Sequence, residues 1–189
     1  ETGGTELGRI TKGLINRVLG TKIDTGTSSL TIGFGYACPF LEKKIKKNEK
    51  KNYLLLMPSE QGVVSWPEKS KSVSVLVDEV SWPVNTSSAD LILISHGLEV
   101  SDNQDLLLQE VLRVLKDSGK LVILVPNRTG FWARSDSTPF GYGKPYSISQ
   151  LTALLRKNQF QIDNITPSLY GFPAKRGYWL KALLLWEKV

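Results

Sequence analysis

The sequence feature that most constrains the fold is a short apolar stretch that ends in a glycine-x-glycine turn. It covers residues 29–37, with Gly33 and Gly35 at the turn, and an amphipathic segment follows it. Paired glycines let the backbone turn sharply and approach a ligand without an intervening Cβ, and a helix that begins there directs its first amides at that ligand. A glycine pair can also be an ordinary turn. The order of strand, glycine turn and helix nevertheless favours the ligand pocket at the carboxyl edge of the first strand in a doubly wound α/β sheet.

The hydrophobic pattern of the remaining chain predicts alternating strands and helices. The predicted elements are a covering helix over 6–19 within an N-terminal segment 5–20, strands over 28–33, 52–57, 72–77, 89–95 and 120–125, helices over 37–47, 105–116 and 147–158, and final strands over 160–165 and 178–188. Alternation of this kind predicts a Rossmann-like, mostly parallel sheet with right-handed crossovers. We expect about seven strands, the last one antiparallel, with helices on both faces in a three-layer sandwich.

The length and composition suit a single domain. The chain has 189 residues, 41% of them hydrophobic, which is enough for one well-sheltered core. We expect one domain over 1–189, with residues 1–4 a cloning remnant outside the fold. Residues 127–146 form a long irregular segment rich in glycine, proline and aromatic residues. A segment of this length is typical of a functional loop, and it predicts either a substrate lid or a strap whose Trp132 and Phe140 seal the core.

Charge and cysteine usage exclude several classes of site. The net charge is +6, and much of the excess comes from the lysine run over 43–51. That run could meet an acidic partner, but a solvated helix end explains it more simply. The chain has one cysteine and one histidine, so it can form neither an intrachain disulfide nor a metal site built from several of these residues. No apolar segment approaches the ~20 residues of a membrane span, and we expect a cytoplasmic protein.

Four further stretches carry a resemblance to a known superfamily. They are Val77-Asp78-Glu79-Val80-Ser81-Trp82-Pro83, Ala89-Asp90-Leu91-Ile92, Ser95-His96-Gly97-Leu98-Glu99 and the helix–turn–strand segment over 110–121. With the glycine turn they resemble a class I S-adenosylmethionine-dependent methyltransferase, from about residue 28 to the end of the chain. The stretches over 126–128, 132–136 and 138–141 are similar to an uncharacterised bacterial group of methyltransferase-like proteins.

The resemblance implies S-adenosylmethionine as the cofactor and a set of contacts after successive strands. The implied cofactor-binding residues are Gly33, Gly35 and Tyr36 at the amino-acid end, Met57 and Glu60 near the ribose, Asp78 and Glu79 near the adenine, and Ser95, His96 and Leu98 after the fourth strand. The chain departs from the family pattern at three of its positions. Leu30, Thr31 and Ile32 fill the stretch before the first glycine, where the family usually has an acidic residue. Met57-Pro58-Ser59 stands where an acid is expected at the end of the second strand, with Glu60 as a substitute, and Ala37 replaces a third glycine.

His96 is the candidate catalytic residue, because an imidazole can act as a general base near neutral pH. A backbone hydrogen bond or packing against the cofactor is the alternative role. The expected contacts to the methyl acceptor are Asn127, Arg128, Trp132, Arg134, Tyr142 and Tyr146. We expect Asp90 and Arg113 to be structural and Cys38 to be a buried small residue.

The acceptor is unidentified, and a small molecule is one candidate. Nucleic acid is less favoured, because the Asn/Asp-Pro-Pro-aromatic signature of base methylation is missing at 95–98. The alternative function is a methyltransferase-like binding or scaffold protein with a degenerate cofactor site. A nicotinamide-binding Rossmann protein is a weaker third interpretation, since the third glycine and the ribose-binding acid are both absent.

Overall fold

A computed structural model of the chain describes residues 30–47, 52–59, 62, 65–66, 72–128 and 144–166. The described residues up to Val125 belong to one compact unit, and those from Pro126 onward belong to a second. The helix predicted over 6–19 and the strand predicted over 178–188 lie outside the described residues. None of the described helices is long and apolar enough to cross a membrane.

The first unit is built on a sheet of five parallel strands. They are β1 (Leu30–Gly35), β2 (Asn52–Pro58), β3 (Ser74–Val77), β4 (Ala89–Ser95) and β5 (Leu115–Leu124). Their order in the sheet is β3-β2-β1-β4-β5. The α/β class is therefore confirmed. The described ladders are all parallel, and the predicted sixth and seventh strands do not occur among the described residues.

The strand order places a switch point between β1 and β4. The chain moves outward from β1 through β2 to β3 and then returns to β4, from which it moves outward in the other direction to β5. Helices α1 (Cys38–Lys47) and α2 (Gln104–Val114) make the crossovers after β1 and β4. Because such crossovers are right-handed, the two helices lie on opposite faces of the sheet. Ligands bind outside the carboxyl ends of the strands at a switch point of this kind.

The core lies on the two central strands. In β4 every residue except Asp90 is buried, as expected for a parallel strand with both faces covered. In β1, Ile32 and Phe34 are inaccessible to solvent. Helix α2 contributes the buried side chains Leu107, Leu108, Val111 and Val114.

The end of β1 differs from the sequence prediction. The strand was expected to stop at residue 33, before the turn, but it continues to Gly35. Gly33 pairs with Leu55 and Leu93, and Gly35 pairs with Ser95. Ladder hydrogen bonds from both neighbouring strands therefore override the low strand propensity of glycine.

The junction between α2 and β5 also differs. The helix was expected to reach residue 116, but it ends at Val114, and Leu115 pairs directly with Ala89. Lys120 then pairs with Leu91, so residues 116–119 bulge out of the ladder. A Cβ at Gly119 would lie 2.8 Å from the Leu115 side chain and 2.9 Å from the Lys116 carbonyl oxygen, so a glycine fits the bulge without displacing them.

In the second unit, the described residues include helix α3 (Ile148–Lys157). Ser147 caps this helix as predicted, and Gln150 completes a capping box. The strand predicted over 160–165 is wrong, because residues 160–166 are neither helix nor strand. Most of their side chains are exposed and none is buried, so the segment lacks the buried face that stabilises a strand.

Candidate functional site

The glycine turn brings the ends of β1 and β4 into direct contact. Gly35 has a φ of +70°, and a Cβ built on it would lie 2.6 Å from the Ser95 carbonyl oxygen and 3.2 Å from the Gly97 Cα. The backbone N–H of Tyr36 donates to that same carbonyl at 2.7 Å. Only glycine combines this conformation with this close an approach, so the residue at position 35 fixes the shape of the switch point.

Gly33 has a different role from Gly35. A Cβ at Gly33 would lie 2.7 Å from the Ala37 Cβ, 2.8 Å from the Leu55 side chain and 2.9 Å from the Leu41 side chain. The missing Cβ therefore lets α1 pack closely on β1 and β2. Its predicted backbone contact with the cofactor stays a prediction, and Tyr36 beside the turn is 46% exposed.

The segment after β4 holds the single histidine in a strained conformation. His96 has a φ of +51°, a left-handed conformation that costs a residue with a side chain about 1–3 kcal/mol. Its backbone N–H donates to the Leu124 carbonyl at 3.1 Å, which ties this segment to the end of β5. Leu98, expected to line the cofactor, is fully buried in the core.

A buried carboxylate that the sequence analysis did not select holds the imidazole of His96. Nδ1 of His96 lies 2.7 Å from Oε1 of Glu99, and the Glu99 side chain is only 2% exposed. The sequence signal that could have indicated this pair is the i, i+3 spacing of a carboxylate from the only histidine. A carboxylate in this position orients a histidine ring and sets which nitrogen carries the proton.

Buried polar atoms without partners are concentrated beside this histidine. Among the described residues, the buried side-chain atoms that lack a hydrogen bond are Ser95 Oγ, Glu99 Oε2 and Ser101 Oγ. Native structures rarely leave such atoms unsatisfied, and each one requires a specific explanation. The seven-residue span from Ser95 to Ser101 therefore has unused hydrogen-bonding capacity.

Asp78 and Glu79 lie at the start of the connection from β3 to β4. Oδ1 of Asp78 accepts from the Val80 N–H at 2.9 Å, and the residue is exposed. Oε1 of Glu79 accepts from the Asn103 N–H at 3.3 Å, which joins this connection to the start of α2. Asp78 therefore caps a local turn with one oxygen, and its predicted contact with a ligand stays a prediction.

The same connection is held against α2 by an ion pair. The Trp82 N–H donates to Glu110 Oε1 at 2.7 Å, and Arg113 Nη2 donates to that same oxygen at 2.7 Å. Arg113 also donates to the carbonyls of Trp82 and Val84. We call this set of contacts the Glu110–Arg113 clamp. The Arg113 role was predicted to be structural, and that is confirmed.

The clamp shifts the acid–base properties of both partners. The hydrogen bond from Arg113, assisted by the backbone N–H of Trp82 and opposed by burial, holds the pKa of Glu110 below its usual value. In return, the hydrogen bond to Glu110 raises the pKa of Arg113. Trp82 also stacks on Phe34, with ring centroids 5.1 Å apart. Phe34 lies between the two glycines of the turn, so the clamp and the glycine turn form one packed structure.

The strand register gives the spacing along the carboxyl edge. Phe34 pairs with Leu56, and Met57 pairs with Leu76. Asp78, which follows β3, is thus two strands from β1, or about 10 Å across the sheet at the usual strand spacing. Met57 is half-buried near the end of the intervening strand. Glu60 lies outside the described residues.

The predicted acceptor contacts belong to the second unit. Asn127 and Tyr146 form a parallel bridge, and the Arg128 N–H donates to the Tyr146 carbonyl at 2.8 Å. Trp132, Arg134 and Tyr142 lie outside the described residues. The role of all these residues in acceptor binding stays a prediction.

Asp90 and Cys38 each lie at the start of an element. Asp90 starts β4, where its carboxylate accepts from the Leu30 N–H at 3.0 Å and from Lys116 Nζ at 2.8 Å. Its predicted structural role is confirmed. Cys38, expected to be buried, is half-buried at the first residue of α1.

The chain was compared with protein-family models and with curated protein sequences. A family model described as a methyltransferase domain matches residues 30–123. No curated protein sequence matches the chain at a significant level.

Among solved structures, the chain is similar to an S-adenosylmethionine-dependent methyltransferase from Archaeoglobus fulgidus (TM-score 0.62, 17% identity, 94% of this chain and 85% of that one). It is also similar to an S-adenosylmethionine-dependent methyltransferase, possible histamine N-methyltransferase, from Thermotoga maritima (TM-score 0.61, 17% identity, 82% and 74%). A third similar structure is phosphoethanolamine N-methyltransferase 2 from Haemonchus contortus in complex with S-adenosyl-L-methionine (TM-score 0.62, 15% identity, 92% and 41%). At these identities the likeness establishes a shared fold.

Proposed function

We infer that this chain is a member of the class I S-adenosylmethionine-dependent methyltransferase superfamily, and that it binds S-adenosylmethionine and transfers its methyl group to an acceptor. The match to a methyltransferase-domain family model supports this inference. The observation that carries the proposal is the contact of Gly35 with the end of β4. A Cβ at Gly35 would overlap the Ser95 carbonyl, and this close approach lies at the switch point of the sheet, where ligands of this fold class bind.

The residues at this edge fit the proposed cofactor. Gly35 and Tyr36 present backbone beside β4. The buried Ser95 hydroxyl has no hydrogen-bond partner among the residues that the structure describes, so it can bond to a polar ligand group. Asp78 lies about 10 Å away across two strand spacings, which suits a ligand that extends along the edge from β1 to β3. We propose that Gly35, Tyr36 and Ser95 hold the amino-acid end and that Asp78 and Glu79 hold the adenine end.

Bound S-adenosylmethionine supplies an electrophilic methyl group on a sulfonium sulfur. The protein's own contribution is to position the acceptor in line with that methyl group and, where the acceptor carries a proton, to remove it. His96 lies between Ser95 and Gly97 in the sequence, and these are the two residues that a Cβ at Gly35 would contact. His96 is therefore next to the glycine turn, and it is the proposed catalytic base. The acceptor is proposed to be a small molecule, and the cytoplasm is the proposed location.

A second candidate function is a binding or scaffold protein that has lost the cofactor. Met57 lies near the end of β2, where family members usually have an acidic residue. A methionine cannot make the paired hydrogen bonds that a carboxylate gives to two hydroxyls. The stretch Leu30-Thr31-Ile32, before the first glycine, also lacks the acid that family members usually have there. Both departures favour weaker binding of the cofactor.

Calorimetric titration with S-adenosylmethionine and S-adenosylhomocysteine separates the two candidates. We expect both ligands to bind the wild-type protein, and Asp78→Asn to weaken binding by about tenfold to a hundredfold through loss of a charge-assisted hydrogen bond. The asparagine keeps the oxygen that accepts from Val80, so the turn is preserved. Asp102→Asn, at an exposed position, is the control. Absence of heat at millimolar ligand would overturn the enzyme proposal.

A further inference from the structure

We propose that Glu99 is a positioning residue that keeps the proton of neutral His96 on Nδ1, so that Nε2 accepts a proton from the methyl acceptor. It follows that the acceptor is a group that still carries a proton near neutral pH: an alcohol, a phenol or an ammonium. This inference rests on the proposed methyl transfer and extends it to the acceptor's chemical class.

The first step is the fixed position of the histidine. His96 follows directly after Ser95, whose carbonyl accepts from Tyr36 at 2.7 Å, and its own N–H donates to Leu124 at 3.1 Å. The backbone at φ +51° is therefore held from both sides in a conformation that a histidine rarely adopts. Strain of this kind persists only where the surrounding structure enforces it, and it concentrates at functional sites.

The second step is the assignment of the ring proton. Oε1 of Glu99 lies 2.7 Å from Nδ1 of His96. An ionised carboxylate accepts hydrogen bonds and donates none, so Nδ1 must be the donor. In the neutral ring, Nε2 then carries the lone pair. The Glu99 side chain is almost fully buried, so the carboxylate is held next to Nδ1.

The third step is the unused hydrogen-bonding capacity around His96 and Glu99. Glu99 has a second buried oxygen without a hydrogen bond, and the hydroxyls of Ser95 and Ser101 also lack partners within the part of the chain that the structure describes. A purely structural ion pair is usually surrounded by hydrogen bonds that satisfy its remaining atoms. Incomplete satisfaction beside a strained histidine is instead typical of a site that is completed by a ligand.

The proton balance then selects the acceptor. The acceptor heteroatom forms a bond to the methyl carbon while the carbon–sulfur bond breaks with its electron pair moving onto sulfur, and the acceptor proton passes to Nε2 of His96. An ammonium gives up this proton before the bond forms, because its nitrogen has a lone pair only after deprotonation. A thiol, with a reference pKa near 8.5, is already partly ionised at neutral pH and needs little help. A phenol, with a reference pKa near 10, or an ammonium or alcohol retains its proton and requires the base.

The protein's single histidine makes the ring proton directly measurable. In untagged, ¹⁵N-labelled protein, long-range ¹H–¹⁵N spectra of the imidazole come from His96 alone. At a pH where the spectrum reports a neutral ring, we expect Nδ1 to be the protonated nitrogen. The preference over the other tautomer should be about tenfold to a hundredfold, the ratio that one charge-assisted hydrogen bond supplies.

Two variants separate the hydrogen bond from the charge. Glu99→Gln retains an acceptor oxygen and should keep the Nδ1 proton, whereas Glu99→Leu should lose the preference. A wild-type ring protonated on Nε2 would overturn the inference, and because the wild-type spectrum alone decides this, the test does not depend on how well the variants fold.

A ligand titration tests whether the ring faces the reacting methyl group. S-Adenosylmethionine and S-adenosylhomocysteine differ only in the methyl group and its positive charge, so the first should shift the Nε2 resonance more than the second. Equal shifts with both ligands would overturn the inference and leave the proposed function standing. Failure of both ligands to bind would overturn the proposed function and the inference with it.

Discussion

At the scale of single residues, two left-handed backbone conformations meet at the ends of β1 and β4. Gly35 adopts φ +70° and His96 adopts φ +51°. The conformation costs glycine little, whereas it strains histidine. The adjoining Gly97 has no room for a side chain either, since its Cβ would lie 2.8 Å from the Phe34 ring. The shape of the switch point therefore depends on particular residues and not on the sheet alone.

Substitution of Gly35 and Gly62, the two positive-φ glycines in the described part of the chain, should separate backbone strain from close contact. Gly35→Ala and Gly62→Ala both force alanine into a left-handed conformation, at a cost of about 1–2 kcal/mol each. At Gly62 nothing lies within 4 Å of the new Cβ, whereas at Gly35 it would overlap Ser95. We expect Gly35→Ala to lower the free energy of unfolding in urea by about 1–3 kcal/mol more than Gly62→Ala. Equal losses would mean that the overlap relaxes without cost.

At the scale of elements, the Glu110–Arg113 clamp connects α2 to the segment that carries Asp78. Arg113 bonds to the carbonyls of Trp82 and Val84 and to the Thr86 hydroxyl at 3.1 Å. The Glu110 side chain is 10% exposed and that of Arg113 is 36% exposed. The clamp is therefore an interaction between a nearly buried carboxylate and a partly solvated guanidinium, which keeps the irregular connection in place without a regular element.

The clamp should make stability depend on pH in a defined direction. The Arg113 hydrogen bond lowers the pKa of Glu110 in the folded protein. The ionised Glu110 carboxylate therefore adds to the free energy of unfolding at pH values above its pKa in the unfolded chain, about 4.3. This added stability is lost as the pH falls through the lower pKa of the folded protein. Glu110→Gln should lower the free energy of unfolding by about 1–2 kcal/mol at pH 7, a value that already allows for solvent screening at Arg113. The difference in unfolding free energy between wild type and variant should shrink as the pH approaches 3.

Urea unfolding between pH 3 and pH 7 measures this dependence. Asp102→Asn is the matched control, because it removes an exposed carboxylate outside the clamp. A wild-type-to-variant difference that stays constant from pH 7 to pH 3 would contradict the assigned role of Glu110.

The cap of α3 provides a local test in the second unit. The Ser147 hydroxyl accepts from the Gln150 N–H at 3.2 Å, and the Gln150 side chain accepts from the Ser147 N–H at 3.0 Å. Ser147→Ala removes one of these bonds and should lower helix stability by about 1 kcal/mol. Amides in the first turns of α3 should then exchange about fivefold faster. Ser118→Ala, at an exposed position, should leave those rates unchanged.

Elements with strong local signals were predictable from the sequence. The residues of β4 and the Ser147 cap agree with the prediction, because a continuous apolar run and a capping residue act locally. The end of β1, the junction of α2 with β5 and the segment 160–165 were wrong. In the first two cases pairing with a neighbouring strand decides the boundary, and in the third the exposed side chains do not sustain a strand.

At the scale of the whole molecule, the sequence located the edge of the sheet but not the contacts that organise it. The strand ends that carry Gly35, Asp78 and Ser95 were predicted to lie at one edge, and the parallel register brings those ends to the same side. The clamp joins residues 28 positions apart along the chain, and no local pattern reports such a contact. The contact between His96 and Glu99 is close in sequence, but the same spacing also occurs in exposed pairs on loops. Only the burial of Glu99, which the sequence does not show, distinguishes the two cases.

Thermal unfolding in the presence of ligand tests the proposed site on the intact protein. A ligand that binds only the folded state raises stability by RT ln(1 + [L]/Kd), or about 2.7 kcal/mol at a hundredfold excess over Kd. We expect the midpoint to rise with the logarithm of S-adenosylmethionine concentration and to rise less in Asp78→Asn. NADH is the control, because a nicotinamide-binding Rossmann protein would respond to it instead. A midpoint that moves with NADH and not with S-adenosylmethionine would assign the switch point to a different cofactor, while no movement with either would favour the scaffold function.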